Sequence, residues 1–325
     1  MKIAILGTGA YGLSLALMAN RNKNKNEIVM WTKFNEEKEH LIKHSGNHNL
    51  LPNVTMSKNI KYTTNMEECI KGSDLIMIMV PAGFVDDVCR ELANYYKNQY
   101  ICIGSKGIEQ DTCLFVHDVV KKYINTKKIA VISGPSFAID IASFVPIGLS
   151  LATEHKTTGK VIKESLENDC LKIRTCNDII GVEICGSIKN IIAIAGGIID
   201  GMGLPESTKA MLITEAMHDI KELIHALGGN KKTILSYAGI GDLLLTCTSI
   251  KSRNFRYGSL IGSRASVSKI NEYVNNTTIE GLYTLKSIYK LLKNKKVDIP
   301  IIDIMYDIII NNKDITLLKK FLIEK

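Results

Sequence analysis

The sequence predicts an α/β domain built on a largely parallel sheet, followed by an all-helical domain. Two observations carry that expectation. Over the first half, short apolar runs at residues 2–6, 28–31, 75–80, 100–103 and 129–132 alternate with polar or helix-spaced stretches, the rhythm of β-α-β units whose strands are buried on both faces. After about residue 180 the pattern changes to long segments of helical spacing, broken at Gly228-Gly229-Asn230 and around residues 249–254. The expected boundaries are 1–180 and 181–325, with a cleft between the two domains, and a chain of 325 residues is long enough for both.

Composition narrows the class. Hydrophobic residues make up 46% and charged residues 23%, the balance of an ordered globular protein. The net charge of +8 is spread over scattered Lys with only doublets such as Lys121-Lys122, so no nucleic-acid partner is expected. Only six of the 41 basic residues are Arg, which singles out each Arg as a candidate for bidentate recognition. The eight Cys contain no C-x-x-C pair and several lie in apolar stretches, as expected of reduced, buried thiols in a cytoplasmic protein. A first strand starting at Lys2 leaves no room for a signal peptide. The most apolar long window, residues 129–152, is interrupted by Pro135, Asp140 and Pro146, and no membrane span is expected.

Gly7-Thr8-Gly9-Ala10-Tyr11-Gly12 directly follows the first apolar run and opens into a helix-like stretch at 13–20. In this context the first Gly permits a tight turn, the second lets backbone approach a pyrophosphate, and the third lets helix and strand pack closely. A pyrophosphate there would meet the positive end of the helix. The first domain is therefore expected to be a Rossmann-like doubly wound sheet. The second run ends Met30-Trp31-Thr32-Lys33, without the acid that would select the free ribose 2′-hydroxyl of NAD. Lys33 suits a 2′-phosphate, which leans the reading to NADPH over NADH, with an ordinary surface lysine as the competing reading.

Lys189 lies in an apolar, Gly- and Ala-rich stretch from Gly181 to Gly197. Burial lowers the cost of losing the ammonium proton, so such a lysine can protonate a carbonyl oxygen as it receives hydride. The bland alternative is a lysine snorkelling to the surface of an amphipathic helix. Farther on, Asp242 and then Ser252-Arg253-Asn254 interrupt an apolar region. A guanidinium beside a hydroxyl and an amide suits a phosphomonoester, although Ser252 as a helix N-cap beside an exposed Arg explains the same residues. No metal is expected. Glu215-x-x-His218 and Glu222-x-x-His225 fall on one helix, about 10.5 Å apart along its axis, too far to share a metal pair. His40, His44 and His48 read as solvated loop residues interrupted by Gly46.

Together these residues resemble the bacterial-type NAD(P)-dependent glycerol-3-phosphate dehydrogenase family along nearly the whole chain. The likeness runs through the Gly7-to-Gly12 loop, Leu51-Pro52-Asn53-Val54, Val80-Pro81, Ser105-Lys106-Gly107-Ile108-Glu109, Ser133-Gly134-Pro135-Ser136-Phe137-Ala138, Gly181-Val182-Glu183 to Lys189-Asn190, Gly241-Asp242-Leu243 and Ser252-Arg253-Asn254. It implies interconversion of dihydroxyacetone phosphate and glycerol 3-phosphate for phospholipid synthesis, usually by a homodimer. By the same resemblance Lys189 is the proton donor or acceptor, with Lys106 and Asp242 beside it. Gly134, Ser136, Ser252, Arg253 and Asn254 would line the substrate site. Gly7, Gly9, Ala10, Tyr11, Gly12, Trp31, Lys33, Lys106, Ala138, Arg253 and Glu280 would line the cofactor site. Ala82 and Ala10 depart from a common Ser, and Lys33 from a common Arg or other polar residue. Two rival readings are a reductase of a 3-hydroxy acid or of ketopantoate, and a nucleotide sensor that has lost catalysis.

Overall fold

The structure, a computed structural model, describes residues 1–324, which form two compact units. One comprises residues 1–106 with 116–179, the other residues 107–115 with those from 180 onward.

The first unit is an eight-stranded sheet: β1 (Lys2–Leu6), β2 (Glu27–Trp31), β3 (Ile60–Thr63), β4 (Leu75–Ile78), β5 (Tyr100–Ile103), β6 (Ile129–Ser133), β7 (Ile147–Ala152) and β8 (Leu171–Cys176). Its spatial order is β3-β2-β1-β4-β5-β6-β7-β8, parallel throughout except for the β6/β7 pair. β1 pairs with β2 on one side and β4 on the other, so Ile5 lies opposite both Met30 and Met77. The chain reverses its direction of winding between β1 and β4, the position where open α/β sheets bind ligands at the carboxyl ends of their strands. Connecting helices are α1 (Ala10–Arg21), α2 (Asn35–His44), α3 (Met66–Ile70), α4 (Val85–Leu92), α5 (Val116–Tyr123), α6 (Ala138–Ala142) and α7 (Lys156–Leu166).

The five apolar runs become β1, β2, β4, β5 and β6, and Ile3 to Leu6 are fully buried, as expected for central strands covered on both faces. Three strands were not anticipated. β3 and β8 are the two sheet edges, and their half-exposed sequences Ile-Lys-Tyr-Thr and Leu-Lys-Ile-Arg-Thr-Cys carry charges where a central strand would not. β7 lies inside the apolar window at 129–152, which is two strands flanking the short α6. His40 and His44 also depart from the loop expectation: they sit on α2, rings 4.5 Å apart, and the helix ends just after them at Ser45 with a left-handed φ of 51°. None of the eight cysteines forms a disulfide, and burial pushes Cys69, Cys89 and Cys102 up to about 12, which leaves them inert.

The second unit contains α8 (Ile179–Gly201), α9 (Glu206–Ala226), α10 (Asp242–Cys247), α11 (Arg253–Gly262), α12 (Val267–Asn276), α13 (Glu280–Lys295), α14 (Pro300–Ile309) and α15 (Thr316–Glu324). α8 is long and apolar enough by composition to cross a membrane, but 89% of its most apolar window is buried inside the fold. α10, α11 and α13 pack against it.

Glycine sets how closely they pack. A Cβ at Gly197 would lie 2.0 Å from the Phe255 carbonyl oxygen, and one at Gly201 2.3 Å from that of Ser259. In return, a Cβ at Gly258 would lie 2.0 Å from the Ile194 oxygen and one at Gly262 2.1 Å from that of Ile198. The two helices thus touch backbone to backbone through residues spaced four apart on each, one face of an α-helix. Elsewhere one helix is capped by another: α14 begins with Pro300, and its Ile301 N–H donates to the buried Asp219 carboxylate of α9 at 3.1 Å.

The backbone contact yields the first prediction. Gly258→Ala must push α8 and α11 apart, and the chain should lose about 3 kcal/mol of stability in urea denaturation. An unchanged midpoint would show that the helices separate at no cost.

Candidate active site

In the first unit the Gly-rich loop forms a cradle. Gly7 has φ of +117°, a conformation that disfavours any side chain, and its N–H donates to the Trp31 carbonyl at 2.9 Å. A Cβ at Gly12 would sit 2.4 Å from the Gly7 oxygen, so the third glycine is fixed by strand-to-helix packing. Gly9 differs: nothing lies within 4 Å of where its Cβ would be. Packing does not demand glycine there, and the open space in front of the loop fits a group that approaches the backbone. Gly9 is also the N-cap of α1 and makes no side-chain cap, which leaves the first-turn N–H groups for an anion. These features fit the pyrophosphate of a dinucleotide.

The neighbouring residues fall into place around the loop. The Ser14 hydroxyl lies 2.6 Å from the Ala10 oxygen and 2.7 Å from that of Ala138, which pins the start of α6 to α1 and places Ala138 beside Ala10. The Lys106 ammonium lies 5.7 Å from the centre of the Tyr11 ring. Lys33 is exposed directly after β2. Trp31 is 5% exposed and its indole N–H donates to the Thr64 carbonyl, so its side chain braces the fold and its backbone meets Gly7. Gly134 has a packing reason of its own, since a Cβ there would lie 2.8 Å from the Gly148 oxygen on β7. Ser136 is half-buried, its hydroxyl donating to the Gly134 carbonyl at 3.2 Å.

In the second unit Lys189 does not snorkel. It is 8% exposed, and its Nζ donates to Asp242 Oδ1 at 2.5 Å and to Thr246 Oγ1 at 3.1 Å. Asp242 and Thr246 are one helical turn apart at the start and end of α10, and the Thr246 hydroxyl donates to the Asp242 carbonyl at 2.7 Å. Burial alone favours a free amine, whereas a carboxylate in contact favours the ammonium. The pair therefore holds a proton-bearing nitrogen in a dry place, aimed by two fixed acceptors. The turn before α10 is irregular: Gly239 is non-helical (φ −84°, ψ −109°) inside a π-type segment, Tyr237–Gly241, and a Cβ on it would strike the Ile234 oxygen at 2.1 Å. That kink delivers Asp242 to Lys189.

Next to the lysine, a line of amides joins three helices. The Gly281 N–H donates to Asn254 Oδ1 at 2.9 Å, Asn254 Nδ2 to Asn190 Oδ1 at 3.0 Å, and Asn190 Nδ2 to Glu280 Oε2 at 3.1 Å. Asn254 and Glu280 are thereby positioned by α8 itself. Ser252 is the N-cap of α11, its Oγ accepting from the Phe255 N–H, and Arg253 is exposed at the first helical position with no hydrogen-bonding or ionic partner for its guanidinium among the described residues. Both sequence readings of this motif are compatible: the serine caps, and the arginine is presented beside a helix N-terminus.

Thr246 and Asn190 are the residues of this cluster to which the sequence alone assigned no role. The signal for Thr246 was its i+4 spacing from Asp242, and Asn190 adjoins Lys189. Among the described residues no group of three or more His, Cys, Asp or Glu is gathered to hold a metal, and Glu215, His218, Glu222 and His225 all lie along α9.

Comparison with known proteins covers both parts of the chain. Residues 2–159 match the family described as the NAD-dependent glycerol-3-phosphate dehydrogenase N-terminus, and residues 178–319 match its C-terminus. A glycerol-3-phosphate dehydrogenase (NAD(P)+) of Listeria monocytogenes is 34% identical over 317 residues, 96% of this chain and 93% of that protein. One of Fusobacterium nucleatum is 33% identical over 97% of this chain and 94% of its own length. The crystal structure of glycerol-3-phosphate dehydrogenase from Coxiella burnetii superposes with a TM-score of 0.93 at 31% identity, covering 100% of this chain and 99% of that one.

The open space at Gly9 makes the cradle testable apart from stability. Gly9→Val should leave the melting temperature unchanged and weaken binding of the nicotinamide cofactor by about tenfold or more, read by quenching of cofactor fluorescence. Wild-type affinity would mean that the loop does not face the dinucleotide.

Proposed function

The chain belongs to the NAD-dependent glycerol-3-phosphate dehydrogenase family, and from that premise we propose that Lys189 is the group that moves the proton in its reaction. The protein interconverts dihydroxyacetone phosphate and sn-glycerol 3-phosphate, using NADH or NADPH. The observation that carries the assignment of Lys189 is its buried ammonium, held between Asp242 and Thr246.

In the direction of reduction, the bound nicotinamide supplies the hydride to the keto carbon. Lys189 Nζ donates a hydrogen bond to the carbonyl oxygen and transfers its proton as negative charge develops there, and in oxidation it takes the proton back. Asp242 and Thr246 fix the direction of the Nζ–H bonds, which spares the site reorganisation at the moment of reaction. Lys106, Gly134, Ser136 and Ser252 are assigned to substrate binding as well, and Arg253 takes the phosphate through its planar fork beside the N-terminus of α11. Asn254 serves by locking Gly281 and Asn190, and Glu280, held by Asn190, is assigned to the cofactor. Tyr11, Ala10 and Ala138 line the dinucleotide with the Gly-rich loop, and Trp31 does so through its backbone. Lys33, exposed at the end of β2 where an acid would select NAD, favours NADPH. We assign the protein to the cytoplasm, as a homodimer feeding phospholipid synthesis.

Oxidation of NADH or NADPH, followed at the nicotinamide absorbance, tests the reading when dihydroxyacetone phosphate is compared with unphosphorylated dihydroxyacetone. Turnover should depend strongly on the phosphate; equal rates on the two ketones would favour another reductase of the same fold. In the same assay Lys33→Asp should shift the ratio of kcat/KM from NADPH toward NADH. A constant ratio would reduce Lys33 to a surface charge.

A further inference from the structure

α12 presents an unusual attachment. None of its ten residues is buried, and the space between it and α11 is an open cavity of about 470 Å³ walled by Phe255, Leu260, Lys269 and Tyr273 among others. Little apolar packing therefore fixes α12 against α11. What joins them near the substrate end of α11 is Tyr273. Its hydroxyl donates to the Arg253 carbonyl at 3.1 Å, and its ring receives the Arg256 guanidinium at 5.7 Å from the centroid. Arg253 opens α11 and Arg256 is one turn along, so a single side chain holds the first turn of the helix at two points.

We infer that Tyr273 is a positioning residue for Arg253, setting the direction in which the guanidinium meets the substrate phosphate. The inference rests on the assignment of Arg253 to that phosphate. Helix ends fray because their terminal groups lack intrahelical partners, and a residue at the first helical position gains little order from the helix behind it. The Ser252 cap anchors the N–H side of the turn through Phe255, and Tyr273 anchors the Arg253 main chain from outside the helix. With both in place, the long arginine side chain starts from a fixed backbone, and less of its freedom is lost when the phosphate binds. The aromatic ring also keeps Arg256 turned onto α12, so that two guanidinium groups one turn apart are not left to compete for one phosphate.

The test is steady-state kinetics of the full chain, comparing Tyr273→Phe with Arg253→Lys on dihydroxyacetone phosphate and on dihydroxyacetone, with inorganic phosphate as competitive inhibitor. Tyr273→Phe keeps the ring over Arg256 and removes only the hydroxyl. KM for the phosphorylated ketone and Ki for phosphate should each rise about two- to tenfold, while kcat, the rate on dihydroxyacetone and the melting temperature stay at wild-type values. An unchanged KM and Ki in Tyr273→Phe, alongside a clear rise of both in Arg253→Lys, overturns the inference and leaves the phosphate assignment standing. If Arg253→Lys affects both ketones equally, or neither, the assignment of Arg253 fails, and the inference with it. Equal losses on both ketones in Tyr273→Phe would mean general damage and would likewise overturn it.

Discussion

The arrangement of the helical unit hangs on a backbone-to-backbone contact between α8 and α11. Gly197 and Gly201 on one helix and Gly258 and Gly262 on the other remove the side chains that would hold the axes apart. The same faces carry the buried polar cluster. Lys189 is seven residues before Gly196, and Asn190 seven before Gly197, within about 20° of two full helical turns, so each polar residue lies on the stripe of its glycine. Gly196 faces the Cys247 carbonyl at the end of α10, and Lys189 accordingly meets Asp242 and Thr246 on α10. Gly197 faces Phe255 on α11, and Asn190 meets Asn254 there. Short side chains of Asn, Asp and Thr can bridge these helices only because the backbones approach so closely.

This geometry explains how a buried lysine is tolerated. An isolated ammonium in the core would cost several kcal/mol, and its removal from a pair would leave Asp242, 1% exposed, without its counter-ion. The pair is compensated further by Thr246, whose hydroxyl accepts from the lysine while donating to the Asp242 carbonyl. Every polar group in the cluster is thus used, as a low-dielectric site requires. The amide line from Gly281 through Asn254 and Asn190 to Glu280 serves the same end for α13, tying its first turn to the central helix.

Much of this was legible beforehand, for identifiable reasons. Central strands buried on both faces announce themselves as apolar runs, and a G-x-G-x-x-G loop between strand and helix has few other uses. The edge strands β3 and β8 escaped because an edge alternates and carries charge. The helical placement of His40 and His44 escaped because the sequence around Gly46 reads as a break, whereas α2 ends one residue earlier at a left-handed Ser45. In the site, Lys189, Asp242 and Arg253 stood out by charge in apolar surroundings. Thr246 and Asn190 are common residue types: the i+4 spacing ties Thr246 to Asp242, but its contact with Lys189 and those of Asn190 with Asn254 and Glu280 join residues remote in sequence, which spacing cannot reveal. The glycines up to Gly197 read in the sequence only as part of an apolar stretch, and the structure gives Gly197 and Gly201 a task there, the contact with α11.

The central claim is that Lys189 supplies the proton. Its most direct test is the turnover of dihydroxyacetone phosphate by Lys189→Met, a substitution of similar length that cannot carry a proton, with cofactor affinity measured in parallel to show that the fold persists. The account predicts a kcat lower by about 10²–10⁴-fold with cofactor binding retained. Wild-type turnover in the folded variant would contradict it.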